Sequence, residues 1–159
     1  MKNRSPQRAR VRAGAGAALC LLAASSAALA AEFPAEDPKP FAEARIILQL
    51  SDRDEAKQSI VLDVANNLIK HYGGPDMVDI EIVAFGPGID LLSAGNPRAD
   101  RIDSLAVSGV RFVACMNTVD TVERTTGKRP ELSPHAIGVQ TGVAHLIERT
   151  TQGFTLVRP

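Results

Sequence analysis

The chain has 159 residues, of which 45% are hydrophobic and 23% charged. That balance excludes a disordered, collagen-like or disulfide-scaffold protein and leaves room for one core rather than two. Aromatic residues make up 4% and tryptophan is absent, which removes the stacking platform that single-stranded nucleic acid needs. The formal net charge of +0 conceals an asymmetry. Residues 1–30 hold five bases and no acid, so the rest carries 13 bases against 18 acids, a net of −5. An acidic body without a basic stripe repels phosphate backbones and excludes a DNA or RNA partner.

The first thirty residues have the layout of a secretory signal peptide. A basic stretch runs from Lys2 to Arg12, followed by an apolar, alanine-rich run from Ala13 to Ala30. Ala28-Leu29-Ala30 gives the small-x-small pattern for cleavage, and Leu19 before Cys20 is too large for a lipoprotein box. The expected mature protein begins at Ala31, is periplasmic, and has no membrane segment after signal removal. Cys20 leaves with the signal, so Cys115 is the one remaining thiol. No internal disulfide can form, and a lone thiol in an exported protein is either buried or reactive.

Residues 31–42 (AEFPAEDPKPFA) hold three prolines and no periodicity, and read as a flexible lead-in. The folded α/β domain is expected over 43–159. Ala44–Leu50 (ARIILQL) has the length and composition of a strand. Ser51 and Asp52 are candidate caps for a helix from Glu55 to Tyr72, with Ile60, Val61, Val64, Leu68 and Ile69 at helical spacing. Gly73-Gly74-Pro75 ends it. Met77–Phe85 (MVDIEIVAF) alternates and then becomes continuously apolar, as a strand buried on both faces does.

Gly86-Pro87-Gly88 ends that strand. A short helical turn is expected over Ile89–Ser93 and a helix over Pro97–Ser108. Val110–Cys115 (VRFVAC) reads as a third strand. Asn117 or Thr118 then caps a helix running to about Thr126. Ala136–Val139 is a short fourth strand. Thr141 caps a last helix, Gly142–Thr151, with Val143, Leu146 and Ile147 facing inward. Phe154–Val157 closes the chain. Strands alternating with helices predict a three-layer α/β/α sandwich with a mainly parallel sheet of about five strands. Ligands of such sheets gather beyond the carboxyl ends of the strands.

Three strand ends meet there: Ser51-Asp52, Gly86-Pro87-Gly88 and Cys115-Met116-Asn117-Thr118. Cys115 is the strongest nucleophile among them. It lies just before a helix N-terminus, where amide groups and the helix dipole favour negative charge and hence the thiolate. A thiolate attacks sulfane sulfur or holds it as a persulfide; the alternative is a cysteine that only packs. The backbone amides at Gly86 and Gly88 offer a small anion cradle, although the loop is too short for a dinucleotide or P-loop motif and a tight turn explains it equally.

Of the histidines, His71 reads as a solvated helix end and His145 as a partly exposed helix residue. His135 is a candidate base for a Cys/His pair with Cys115. No spacing of Cys, His, Asp and Glu predicts a metal site, no cofactor motif is present, and no G-x-S-x-G elbow supports a serine hydrolase.

The chain resembles the DsrE/DsrF-like proteins, which include the TusD sulfur carriers. The resemblance covers roughly residues 44–159. It rests on RIILQLSD at 45–52, VDIEIVAFGPGIDLL at 78–92 and SGVRFVACMNT at 108–118. The ending GVAHLIERTTQGFTLVRP at 142–159 is similar to the closing helix and strand of the exported branch. The resemblance implies a homotrimer or homohexamer in which Cys115 receives a sulfur atom as a persulfide and passes it on. Asn117 and Thr118 would shape the pocket, and the partners would be sulfur donor and acceptor proteins or polysulfide. Export is a departure, since the best understood relay members are cytoplasmic and an oxidising compartment threatens a persulfide. The competing reading is a non-catalytic oligomeric module that binds a small anion or a protein around Gly86–Gly88.

Overall fold

The computed structural model describes residues 39–159. The expected signal peptide and the first part of the lead-in lie outside the described residues. Five strands form one all-parallel sheet in the order β4-β3-β2-β1-β5. They are β1 (Ala44–Leu50), β2 (Val78–Ala84), β3 (Arg111–Cys115), β4 (Ala136–Val139) and β5 (Thr155–Val157). Between them run α1 (Glu55–His71), a 3-10 helix (Gly86–Leu92), α2 (Ala99–Val107), α3 (Met116–Thr126) and α4 (Gly142–Thr151). The expected three-layer sandwich is therefore present, with each strand and helix within a few residues of its expected place. Among the described residues no helix is long and apolar enough to cross a membrane.

The order explains the layers. From β1 to β4 the chain steps the same way each time, and right-handed crossovers then put α1, α2 and α3 on one face. From β4 it returns across the whole sheet to β5, so the same handedness puts α4 on the other face. The side chains agree. Ile46, Leu48, Ile80, Ile82, Phe112 and Ala114 point to the first face and pack against Val61, Leu62, Ile102, Leu105 and Val119 of the three helices. Ile47, Val83 and Val113 point to the second face and meet Leu146 of α4 and Phe154. Burying each large side chain is worth about 1.5–3 kcal/mol, so the first face supplies most of the driving force.

The cap of α1 differs from the expected Ser51 or Asp52. Asp54 takes that place, and its carboxylate accepts from the Lys57 amide at 3.0 Å. Cys115, rather than Asn117 or Thr118, holds the cap position of α3, because the strand runs into the helix without a connecting loop. Lys39, within the expected lead-in of 31–42, is held at the amino edge of the sheet. Its ammonium donates to the carbonyls of Pro75 (2.9 Å), Val78 (3.1 Å) and Gly109 (3.2 Å). Three carbonyl acceptors fix the side chain where the prolines alone gave no regular structure.

Candidate functional site

The carboxyl edge of the sheet holds a topological switch point. β3 leaves toward α3 on one face and the neighbouring β4 leaves toward α4 on the other. Such divergence opens a crevice between adjacent strands, the place where parallel α/β proteins bind ligands. Cys115 is the last residue of β3 and pairs in register with Val139 of β4, so it stands at this divergence.

Cys115 is 6% exposed and forms no disulfide. Its thiol donates weakly to the Gln140 carbonyl, with Sγ 3.9 Å from the oxygen. The first residue of α4 lies directly against it. A Cβ on Gly142 would stand 3.1 Å from Cys115 Cβ, 3.6 Å from Sγ and 3.5 Å from Phe85 Cβ, so glycine lets the helix start close to the sulfur where a larger residue would press on the cysteine. Two helices thus begin at the thiol, α3 through its backbone and α4 through Gly142. The first turns of helices present unpaired amides and the positive end of the dipole.

Asn117 closes the mouth of the crevice. Its amide donates to the Gln140 carbonyl at 3.1 Å. Its side chain accepts from Gln140 Nε2 at 2.6 Å and donates to Thr141 Oγ1 at 3.0 Å. Thr118 turns the other way: its hydroxyl accepts from the Gly86 amide at 2.9 Å and ties α3 to the end of β2. The Gly88 amide donates to the Phe85 carbonyl at 3.1 Å. A Cβ on Gly88 would fall 2.3 Å from the Leu50 carbonyl oxygen, so this residue is glycine to let the turn pack on β1. Cys115, Asn117 and Thr118 therefore share one neighbourhood with Gly86, while the amides of Gly86 and Gly88 are engaged in bonds of their own.

The histidines fall differently from expectation. His71 is exposed at the end of α1. His135 precedes β4, whose first residue pairs with Phe112, three residues upstream of Cys115. Its ring is 3.1 Å from the carboxylate of Asp103 on α2. The expected Cys/His pair is not formed: the imidazole stands toward the opposite edge of the sheet. His145 is buried, not partly exposed as its helical position implied. Its Nε2 lies 2.8 Å from the carboxylate of Glu81.

Glu81 explains that burial. It sits in the middle of the central strand, fully buried, on the face covered by α4. The Arg149 guanidinium pairs with it through Nε at 2.9 Å and through a second, shorter contact. Arg111, directly opposite on β3, donates to it from Nε at 3.1 Å and also reaches Asp79 at 2.8 Å. Burial holds the Arg149 guanidinium below its ordinary pKa. The same guanidinium rests over the Phe154 ring, 4.6 Å from its centroid.

A buried carboxylate demands partners, and α4 turns Arg149 and His145 toward it, with Gly142 and Leu146 on the same inward face. Val143 and Ile147, expected inside, are displaced outward and are 48% and 61% exposed. The signal that would have found this cluster was present in the sequence: Asp79 and Glu81 share one face of a strand with no water to receive them, and His145 and Arg149 share one face of α4.

Two clefts flank α4. One of about 340 Å³ lies toward β4 and is lined by Val139, Gln140, Thr141, Ala144, His145 and Glu148. The other, about 270 Å³, is apolar and is lined by Phe85, Val143, Leu146, Ile147 and Leu156, among others. Among the described residues no group of three or more His, Cys, Asp or Glu side chains is placed to hold a metal ion.

Fold and site together define a parallel α/β sandwich with a thiol at its switch point. No protein-family model and no curated protein matches the chain. It is similar to the solved structure of a protein of unknown function from Methanobacterium thermoautotrophicum, at 28% sequence identity and a TM-score of 0.65. The match covers 74% of this chain and 100% of that one. The sandwich is thus shared with an archaeal protein whose whole length it spans.

Proposed function

We propose that the protein is a periplasmic carrier of sulfane sulfur, held as a persulfide on Cys115. The observation that carries this reading is the position of the thiol: a strand end at the switch point, with α3 and α4 both beginning against it. The Cys115 thiolate attacks the outer sulfur of a donor persulfide, R–S–SH. A new S–S bond forms to Cys115, the donor S–S bond breaks, and R–S⁻ leaves with the electron pair. An acceptor thiolate then attacks the outer sulfur of the Cys115 persulfide, and Cys115 departs as thiolate. No external oxidant or reductant enters either step. The low exposure of the thiol shields the bound sulfur from the oxidation ladder that export invites.

We also propose a homo-oligomer. α4 alone covers the second sheet face, and Val143, Ile147 and Leu156 leave an apolar strip beside it. Contiguous apolar surface of this kind marks association.

Burial favours a second reading. At 6% exposure Cys115 also suits a packing residue in an assembly module without thiol chemistry. Intact-mass measurement after polysulfide treatment decides between them. The carrier gains the mass of one sulfur atom, and Cys115→Ser gains none. A wild-type protein that stays unmodified under native conditions supports the assembly module.

A further inference from the structure

We infer that Asn117 is a latch that controls access to the Cys115 thiol. The inference deepens the carrier reading and rests on it only for its biological purpose. The turn Gln140–Thr141–Gly142 between β4 and α4 lies against the thiol: Sγ is 3.9 Å from the Gln140 carbonyl oxygen, and a Cβ on Gly142 would stand 3.6 Å from Sγ. Gln140 and Thr141 also line the cleft of about 340 Å³ beside α4. That turn is therefore the partition between an open groove and the buried sulfur.

Side-chain bonds from one residue help to hold the partition in place. Asn117 accepts from Gln140 Nε2 and donates to Thr141 Oγ1, gripping both residues of the turn. Asn117, Gln140 and Thr141 are all at the surface, so water competes for these bonds and each contributes little to global stability. Breaking them loosens the turn, which the Asn117 backbone amide still ties through the Gln140 carbonyl, without disturbing the apolar core on the other face. The groove then extends to Cys115, which gives a persulfide-bearing thiol its approach route. Closure after loading shields the sulfur.

The test is the rate of Cys115 alkylation by iodoacetamide in the native mature protein, read by mass on the Cys115 peptide at several urea concentrations below the unfolding transition. Asn117→Ala removes both side-chain bonds. It is expected to accelerate alkylation about tenfold, with a rate independent of urea, as local opening requires. Thr141→Val removes one bond and falls between wild type and Asn117→Ala. An unchanged rate in Asn117→Ala overturns the latch. So does a faster rate that climbs with urea in parallel with global unfolding.

Polysulfide loading is followed separately on the same proteins. Accelerated alkylation without sulfur uptake leaves the latch standing and removes the carrier role. Sulfur uptake with alkylation indifferent to Asn117 does the reverse.

Discussion

The two faces of the sheet solve different problems. The face under α1, α2 and α3 is filled by aliphatic side chains and Phe112. The face under α4 has five residues in its buried apolar cluster, and beside them a buried carboxylate, two guanidiniums, an imidazole and a thiol. The first face forms mainly from volume and hydrophobicity, with one buried amide pair, Gln58 and Asn96, beside its apolar core. The second forms only when specific charges meet, and it is the one that carries the candidate chemistry. Clefts lie on both sides of α4, and one of about 290 Å³ lies between α1 and α2 on the other face.

The largest expected effect sharpens this contrast. Glu81→Ala removes the buried carboxylate that Arg149, Arg111 and His145 share and should destabilise by about 3–5 kcal/mol in urea unfolding. Phe112→Ala on the other face should lose a similar ~3–5 kcal/mol through its cavity. The conservative changes separate them. Phe112→Leu keeps most of the volume and recovers most of the loss, whereas Glu81→Gln keeps the volume but not the charge and stays costly. Equal recovery in both would break the distinction between the faces.

Gly88→Ala forces a methyl group against the Leu50 carbonyl and is expected to destabilise by about 1–3 kcal/mol or more, again by urea unfolding. Ile147→Asp, on the exposed strip of α4, should change stability by less than about 0.5 kcal/mol. It should nonetheless convert the oligomer to monomer in sedimentation, because the strip faces a partner copy in this account.

The smallest effect concerns pH. Burial holds the Lys39 ammonium below its usual 10.5; the nearby Arg111 charge adds to this, and Asp79 and Asp76 oppose it. Between that lowered folded value and 10.5 the unfolded chain binds more protons than the folded one, so stability rises with pH through the window. Below it the full penalty of the buried charge is present. Lys39→Met should lack this alkaline rise, and unfolding of both proteins across the alkaline range checks it.

Much of this was legible from residue order. β4 and α4 occupy the spans that periodicity and turn residues indicated, and Cys115 stands at the strand end where it was expected. What periodicity misread was the rotation of α4. Val143 and Ile147 look inward on a hydrophobicity count, but a buried Glu81 outweighs two aliphatic side chains when a helix chooses its face. His135 illustrates the other gap: a separation of 20 residues from Cys115 says nothing about space, and a parallel strand carried it toward the far edge. The grip of Asn117 on Gln140 and Thr141 was likewise illegible, because it joins the ends of two strands that only the sheet order makes neighbours.

The central claim is that Cys115 takes up and releases a sulfur atom. Its most direct measurement loads the purified mature protein with polysulfide, locates the added sulfur by peptide mass, and then adds an acceptor thiol in excess. The account predicts one sulfur per chain, on the Cys115 peptide, and its complete transfer to the acceptor. A chain that takes up no sulfur at Cys115, or one that holds it unmoved by the acceptor, contradicts the account.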